Sequence, residues 1–368
     1  TDKQGYRHYM MKEIFFQPDA ISKTLKGRIT KDQVITKEFG ESADLIFSKT
    51  ECIKIVACGT SYHAGLIAAY WMEKVANIHC QVEIASEYRY RKSVILDNTL
   101  FVAVSQSGET ADTLAALRTA KDAGYLSTLV ICNVDESSLT RDSALCFLTH
   151  AGTEIGVAST KAFTSQLAVF ALLALHIKKN NMQNIDYAKD TIFQSLFEMQ
   201  QTMRRILKNS KKFEEVAHSL RDAKSIFYIG RGPMYPLALE GALKLKEITY
   251  KHCEGYAAGE LKHGPLALIE DDIPVIALAP YDENFLKILS NIQEIKARNG
   301  KIILISDSKG VDKAKKYCDQ TIVLPNTNFV TSAILYSLPV QLIAYHLAVL
   351  LGTDVDQPRN LAKSVTVE

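Results

Sequence analysis

The chain has 368 residues, of which 47% are hydrophobic and 23% are charged, and its formal net charge is +2. This composition is typical of a globular protein long enough for two domains of ordinary size. Acidic and basic residues are mixed along the chain. The sequence has neither a basic stripe that would indicate nucleic-acid binding nor a polybasic cluster that would indicate binding to a membrane surface. Any anion must therefore be bound by local groups.

The chain opens with TDKQGYRHYMMKEI, which has neither an initiator methionine nor the layout of a signal peptide, so we expect a fragment or a processed product. Seven cysteines are scattered without a C-x-x-C pair, which favours reduced thiols in the cytoplasm. Nine histidines show no H-x-H or H-x-x-x-H spacing. We therefore expect no metal site and no cofactor.

Six short apolar segments alternate with helical patterns along the chain. They are IKIVAC (53–58), TLFVAV (99–104), STLVIC (127–132), SIFYIG (225–230), PVIALA (274–279) and KIILIS (301–306). Continuous apolar strands separated by helices indicate parallel sheets covered on both faces, so the predicted class is α/β. The order and spacing of the segments nearly repeat between the two halves, which predicts a duplicated domain.

Two polar loops follow predicted strands of the first half. SQSGET contains Ser105, Gln106, Ser107 and Thr110 and precedes a helical pattern, and CGTS contains Ser61 and follows the preceding strand. If the two strands are neighbours, both loops open at the carboxyl edge of one sheet, where α/β sheets bind ligands. Backbone N–H groups and hydroxyls at a helix N-terminus suit a phosphate, although the same residues also describe an ordinary helix cap.

The loops match neither of the glycine-rich nucleotide motifs, which favours a small phosphorylated metabolite over a nucleotide. A third stretch, GVASTKAFTSQ, places Ser159 and Thr160 at the start of a helix. Two interpretations of this stretch stay open: its residues cap the helix, or its backbone lines the pocket.

In the second half, LALEGALKLKEITY places Glu240, Lys244 and Glu247 on one face of a helix. The alternative is a solvated face of ion pairs. Further on, GELKHGPLALI places His263 before Gly264 and Pro265, which predict a turn, and an exposed loop histidine of no special role is the alternative.

Two long apolar runs, beginning at Leu167 and Val340, are too short for a bilayer and are interpreted as buried helices. Residues 165–207 have a helical pattern, and we place a domain boundary near residue 180 in the polar stretch KKNNMQN. The predicted division is 1–180, 181–352 and an irregular C-terminal tail at 353–368. A frayed terminus is the default expectation for this tail, which carries Arg359 and Lys363.

Taken together, these stretches resemble the isomerase half of the glucosamine-6-phosphate synthases, which are glutamine:fructose-6-phosphate amidotransferases. The resemblance runs from YRHYMMKEIFFQP through CGTS, SQSGETADT, GTEIGVASTKAFT, RGPMYPLALEGALKLKEI and GELKHGPLALI to DQPRNLAKSVTVE. It implies two similar sugar-isomerase (SIS) subdomains, each a parallel sheet between helices. It also implies a cytoplasmic enzyme of the hexosamine pathway that makes glucosamine-6-phosphate from fructose-6-phosphate and acts as a homodimer.

The same resemblance implies a role for each site residue. Glu247 would move the proton between C1 and C2 beside Lys244, His263 of the partner subunit would open the sugar ring, and Lys363 would meet the ketose carbonyl. The substrate-binding residues would be Ser61, Ser105, Gln106, Ser107, Thr110, Val157, Ser159, Glu240 and Arg359. An aldose–ketose isomerisation needs a carboxylate and a ring-opening group, so the residue types agree with these roles.

The glutaminase domain of that family begins with a nucleophilic cysteine, whereas this sequence begins with Thr1. We therefore expect it to isomerise fructose-6-phosphate without hydrolysing glutamine. The main alternative is a SIS module that senses a sugar phosphate and regulates a partner. Such a module needs the phosphate loops but not Glu247, His263 or Lys363. A SIS deaminase or another sugar-phosphate isomerase also fits the loops, but not the DQPRNLAKSVTVE tail.

Overall fold

A computed structural model describes residues 2–181, 185–187 and 189–368. Within these residues the chain forms two parallel sheets of five strands. The strands of the first sheet are β1 (Cys52–Ala57), β2 (His79–Ile84), β3 (Thr99–Ser105), β4 (Ser127–Cys132) and β5 (Leu145–Leu148). Those of the second are β6 (Ser225–Gly230), β7 (His252–Ala257), β8 (Pro274–Leu278), β9 (Lys301–Asp307) and β10 (Gln320–Leu324).

Fifteen α-helices are described among the same residues. They are α1 (Tyr9–Phe15), α2 (Gln17–Leu25), α3 (Ala43–Lys49), α4 (Gly59–Lys74), α5 (Ala85–Tyr88), α6 (Ala111–Lys121), α7 (Ser138–Asp142), α8 (Lys161–Asn181), α9 (Thr191–Phe197), α10 (Met199–Leu207), α11 (Ser210–Ser219), α12 (Met234–Thr249), α13 (Phe285–Lys296), α14 (Ser308–Ala314) and α15 (Thr331–Leu351). Short 3₁₀ helices span Lys37–Phe39, Ala258–His263, Pro265–Leu268 and Lys315–Tyr317.

The two sheets have the same topology. The strand order is β2-β1-β3-β4-β5 in one and β7-β6-β8-β9-β10 in the other, and every pairing is parallel. The predicted α/β class and the predicted duplication are therefore confirmed. All six strands predicted from the sequence are present, and the four that the sequence did not predict are β2, β5, β7 and β10, the edge strands of the two sheets.

The described residues divide into two compact units. The β1–β5 unit comprises Phe16–Glu154, Ser159–Gln200 and Ala362–Glu368, and the β6–β10 unit comprises Thr1–Phe15, Ile155–Ala158 and Gln201–Leu361. The predicted boundaries at 180 and 352 stay predictions. The polar stretch at 178–184 runs into residues 182–184, which lie outside the described residues.

Each unit has its own apolar core. In the β1–β5 unit, Phe101 and Val130 of the sheet pack with Leu117 of α6. In the β6–β10 unit, Phe227 and Leu304 of the sheet pack with apolar residues of α13. Each fully buried side chain of this size stabilises its unit by roughly 1.5–3 kcal/mol. The strands and helices of each core are therefore firmly packed, and the loops at the sheet edges begin and end on them.

Helix α15 is the one element in the described part of the chain that is long and apolar enough to cross a membrane by length and composition. Because it starts at Thr331, the expectation that the run from Val340 is too short for a bilayer was wrong. Its most apolar window is 78% buried within the protein, which is typical of the core helix of a globular domain. The interpretation of this run as a buried helix is confirmed, as is that of the run in α8.

Candidate functional site

The SQSGET loop connects the end of β3 to the start of α6. The Oγ of Ser105 accepts a hydrogen bond from the backbone N–H of Gly108 (3.1 Å) and lies 3.0 Å from the Oγ1 of Thr110. The Oγ of Ser107 accepts from the N–H of Glu109 at 3.2 Å. Thr110 occupies the N-cap position of α6, yet its side chain makes no capping hydrogen bond. The hydroxyls therefore shape the turn and do not cap the helix.

Gly108 is required by the close approach of a neighbouring loop. Its φ is +70°, and a Cβ at this position would lie 2.1 Å from the Oγ of Ser137. Its carbonyl oxygen also accepts a hydrogen bond from the N–H of Leu139 at 3.1 Å. The backbone of Gln106 is fixed as well, because its carbonyl accepts from the N–H of Asn133 at 3.2 Å. The loop is thus held on both sides.

The CGTS loop opens at the same edge of the sheet as SQSGET. Strands β1 and β3 are parallel neighbours with Val56 opposite Ala103, which confirms the adjacency expected from the sequence. Ser61 is half-buried in the first turn of α4, and Cys58, the N-cap residue of that helix, makes no side-chain capping bond. Two helix N-termini without side-chain caps therefore open at one sheet edge, which is an arrangement that attracts anions.

The last residues of the chain lie against the SQSGET loop and are not frayed. The Oγ of Ser364 is 3.0 Å from the Oγ of Ser107, and the carbonyl of Val365 accepts a hydrogen bond from the N–H of Ala111 at 3.1 Å. The ion pair between Arg89 and Glu368 measures 3.7 Å. This end of the tail therefore belongs to the β1–β5 unit.

Lys363 pairs with Glu154, a residue to which sequence analysis gave no role. The Nζ of Lys363 lies 2.5 Å from the Oε1 of Glu154 and 3.5 Å from the Oγ of Ser159. The side chain of Glu154 is completely buried, and that of Lys363 is 22% exposed. The other carboxylate oxygen of Glu154 accepts from the backbone N–H groups of Thr160 (3.1 Å) and Ala162 (2.9 Å) at the start of α8.

These contacts keep Glu154 ionised although it is buried. Burial, the largest single influence, raises the pKa of this carboxyl, but the charge of Lys363 and the hydrogen bonds that it accepts outweigh burial and lower the pKa below its ordinary value. The signal in the sequence was an acidic residue shortly before a helix that lacks an acidic first turn. Nothing in the sequence indicates that Lys363, more than two hundred residues away, is its partner.

Helix α12 of the β6–β10 unit brings Glu240, Lys244 and Glu247 into contact. The Nζ of Lys244 lies 3.4 Å from the Oε1 of Glu240 and 2.5 Å from the Oε2 of Glu247. The side chains of Glu240 and Lys244 are 1% and 0% exposed, and that of Glu247 is 19% exposed. The alternative of a solvated ion-pair face is wrong, because the trio is buried at one end and opens to solvent only at Glu247.

The remaining predicted residues of this unit lie outside its α-helices and strands. His263 ends the 3₁₀ helix Ala258–His263 and is exposed, and the φ of +137° at Gly264 confirms the predicted turn. The N–H of Val157 donates to the carbonyl of Asp356 at 3.0 Å. The guanidinium of Arg359 lies 4.2 Å from the ring centre of Tyr250, and the hydroxyl of Tyr250 accepts a hydrogen bond from the backbone N–H of Arg359.

The predicted site residues thus fall into two sets. The β1–β5 unit carries Ser61, Ser105, Gln106, Ser107, Thr110, Ser159 and Lys363, and the β6–β10 unit carries Val157, Glu240, Lys244, Glu247, His263 and Arg359. Among the described residues, no hydrogen bond joins His263 to the trio on α12. Within the same residues, no group of three or more His, Cys, Asp or Glu side chains is arranged to hold a metal ion.

Two segments of the chain match one family. The family model described as the SIS domain matches residues 46–176, which contain β1–β5, and residues 219–351, which contain β6–β10. The chain belongs to the SIS domain family.

Curated relatives of this SIS pair match it from end to end. The glutamine–fructose-6-phosphate aminotransferase [isomerizing] of Escherichia coli (strain K12) is 52% identical over 370 residues, and that of Pseudomonas aeruginosa is 50% identical over 369 residues. In both comparisons all of this chain is matched, and the chain spans 60% of the length of the relative.

Solved structures show the same SIS architecture. The C-terminal domain of glucosamine-fructose-6-phosphate aminotransferase from Francisella tularensis matches 97% of this chain and all of its own length, with 45% identity and a TM-score of 0.93. Tagatose-6-phosphate ketose/aldose isomerase from Escherichia coli matches 97% of both chains with a TM-score of 0.80 but only 20% identity, so it supports the fold alone.

Proposed function

We propose that this SIS pair binds fructose-6-phosphate and interconverts the ketose and aldose forms of the sugar phosphate. In the whole protein it would use ammonia from a glutaminase domain to form glucosamine-6-phosphate. The observation that carries the proposal is the pair of hydroxyl-rich helix N-termini without side-chain caps at one sheet edge of the β1–β5 unit. The names of the relatives, which match the chain over its full length, support it.

The phosphate is the substrate's anchor in this proposal. Ser61, Ser105, Ser107 and Thr110 supply hydroxyl donors, and Gln106 supplies a side-chain amide. The N-termini of α4 and α6 add the positive ends of their dipoles. A fixed phosphate turns binding energy at the far end of the sugar into positioning of C1 and C2, which is where the bonds change. The proposal needs no net positive charge on the surface, in agreement with the net charge of +2.

Glu247 is the proposed base that moves the proton between C1 and C2. It is the member of the α12 trio whose side chain reaches solvent, so a ligand can reach its carboxylate. Lys244 holds that carboxylate in place and Glu240 holds Lys244, which gives the base a fixed orientation. His263 of the partner subunit is proposed to open the ring, which is consistent with its exposure on its own subunit.

Lys363 is proposed to form an imine with the ketose carbonyl. Ser159, whose hydroxyl lies beside its Nζ, is proposed to contact the sugar with Val157, and Arg359 is proposed to support binding from the tail. We further propose that the active form is a cytoplasmic homodimer in the hexosamine pathway. The glutaminase partner would lie in the part of the relatives that this chain does not span.

The test is to incubate the chain with fructose-6-phosphate and measure glucose-6-phosphate, with and without the substitution Glu247→Gln. We expect turnover by the unchanged chain. We expect Glu247→Gln to lower the turnover rate by about 10²-fold or more, which is the usual effect of removing a general base. Fructose-6-phosphate binding, followed by calorimetry, should be retained because the phosphate groups are untouched.

Glu215→Gln is the control, since Glu215 is an exposed carboxylate of the same unit and its loss should leave turnover unchanged. A module that only senses sugar phosphates would bind fructose-6-phosphate without turnover, and Glu247→Gln would then change nothing. Binding without any aldose phosphate formed by the unchanged chain would therefore contradict the enzyme and favour the sensor.

A further inference from the structure

The two carboxylate oxygens of Glu154 contact different parts of the chain. One carboxylate oxygen accepts the first backbone N–H groups of α8, which is an ordinary way to satisfy a helix N-terminus. The other oxygen accepts a hydrogen bond from the Nζ of Lys363, a residue of the C-terminal tail. Keeping a fully buried carboxylate ionised costs free energy. The pairing of this buried charge with one lysine of an irregular tail therefore needs a reason.

The proposed chemistry of Lys363 supplies that explanation. An imine forms only after an ammonium loses a proton and its nitrogen presents a lone pair to the carbonyl carbon. Lys363 lies outside the helices and strands, and its side chain has four rotatable bonds. A partner that fixes the nitrogen and accepts one proton would meet both needs.

We infer that Glu154 is a positioning residue for Lys363, which holds the Nζ in place for the ketose carbonyl and accepts the proton that the nitrogen must lose. This inference rests on the proposed function and specifies the partner that its lysine requires. Glu154 is suited to the task because α8 fixes its carboxylate through two backbone N–H groups.

The step balances without another reactant. Lys363 begins as an ammonium with three protons and ends as a protonated imine with one. The C–N bond forms as the carbonyl π electrons move to oxygen, and that oxygen leaves as water with the other two protons. Glu154 holds one of these protons between its loss by nitrogen and the departure of the water, so its own charge is restored.

The chain contains a matched control in the same unit. Asp190 accepts hydrogen bonds from the N–H groups of Ile192 and Phe193 at the start of α9, and it pairs with Lys178 at 2.8 Å. Like Glu154, Asp190 caps a helix with one carboxylate oxygen and pairs with a lysine through the other. No function is proposed for Asp190. Asp190→Asn removes a cap and an ion pair without touching Lys363.

The experiment traps the imine. The chain is mixed with fructose-6-phosphate and sodium borohydride, which reduces an imine to a stable amine, and the rate of labelling of the peptide that contains Lys363 is followed by mass spectrometry. We expect Glu154→Gln to slow labelling by about 10²-fold, the range of a lost proton-transfer group. Its rate should rise with pH where that of the unchanged chain is flat, because solvent must then take the proton.

Asp190→Asn should label at the unchanged rate and keep the flat profile, even if its helix is less stable. Glu154→Asp keeps the charge on a shorter side chain and should recover part of the rate, which also covers the case in which Glu154→Gln does not fold. Labelling of both Glu154 variants at the unchanged rate and with the unchanged pH profile would overturn this inference alone. If the unchanged chain is not labelled at all, the imine step of the proposed function fails, and this inference fails with it.

Discussion

Buried lysine–carboxylate contacts are the residue-scale feature common to both units. Lys244 meets Glu240 and Glu247 on α12, and Lys363 meets Glu154 beside α8. Burying ions is seldom the cheapest way to stabilise a fold, because the loss of hydration offsets most of their attraction. Their presence at both proposed sites therefore agrees better with a chemical role than with a purely structural one.

Stability should depend strongly on Lys244. Lys244→Met removes the ammonium that faces Glu240, whose side chain is 1% exposed, and so takes a counter-charge away from a buried carboxylate. We expect the free energy of unfolding to fall by about 3–5 kcal/mol, as measured by urea denaturation.

Lys246→Met is the control for that measurement, because Lys246 is an exposed lysine of the same helix and its loss should change stability little. Adding Glu240→Gln to Lys244→Met should restore part of the loss, since the buried charge is then gone as well. If Lys244→Met were no more destabilising than Lys246→Met, the buried ion pair would not be a determinant of stability.

The sequence predicted the contacts on α12 but not their burial. The spacing of Glu240, Lys244 and Glu247 shows which side chains share a face, and the three do meet. Whether that face is covered depends on what packs against the helix, here α15 and β7, and periodicity within α12 carries no such information. The partner of Lys363 was unpredictable for a similar reason, since the contact joins distant parts of the chain.

At the scale of elements, the position of a strand in its sheet determines whether the sequence pattern predicts it. The six predicted strands are central strands whose residues are nearly all buried, so they appear in the sequence as continuous apolar runs. The four missed strands are edge strands with mixed burial, such as β2 and β7. Residues such as Gln81 and Glu254 interrupt their apolar pattern because one side of an edge strand meets solvent.

The SQSGET loop gives a prediction at this scale. Gly108→Ala would place a methyl group against Ser137 and force a side chain into positive φ, so the loop must shift. We expect the Kd for fructose-6-phosphate to rise at least about tenfold, because misplaced hydroxyls and N–H groups lose about 1.4 kcal/mol or more of binding energy.

Gly124→Ala separates this effect from backbone strain alone. Gly124 also has a positive φ, +102°, but its added Cβ would meet nothing within 4 Å. It should lose about 1 kcal/mol of stability or somewhat more, and no affinity for fructose-6-phosphate. Equal affinities in the two variants, measured by calorimetry, would show that the loop does not bind the phosphate.

At the scale of the molecule, one topology occurs twice with different chemistry. The β1–β5 unit has serine and threonine loops after β1 and β3, whereas the equivalent strands β6 and β8 are followed by RGPMYP and APYDEN. The second pair of loops has no serine or threonine and carries Asp282 and Glu283. This division was visible in the sequence, because loop composition is local. The allocation of residues 353–361 and 362–368 to different units was not, since nothing in the tail's composition encodes where it docks.

The proposal that His263 acts on the partner's substrate can be tested by mixing subunits. Glu247→Gln and His263→Ala should each be inactive alone. If the sites are shared, a dimer with one chain of each kind has one site with both residues intact and one site with neither. Random mixing makes half of the dimers of this kind, so about a quarter of the unchanged activity should return. Isomerisation of fructose-6-phosphate by the mixture, after exchange of subunits, measures it.

A second mixture supplies the control. Glu247 and Lys363 are both proposed to act on the substrate of their own chain, so a dimer of Glu247→Gln with Lys363→Ala has one damaged residue in each site. This mixture should stay inactive under the same exchange conditions. Recovery in the first mixture and not in the second identifies His263 as the residue contributed by the partner. If neither mixture recovers although mass measurements show exchanged dimers, His263 acts within its own chain and the shared site is excluded.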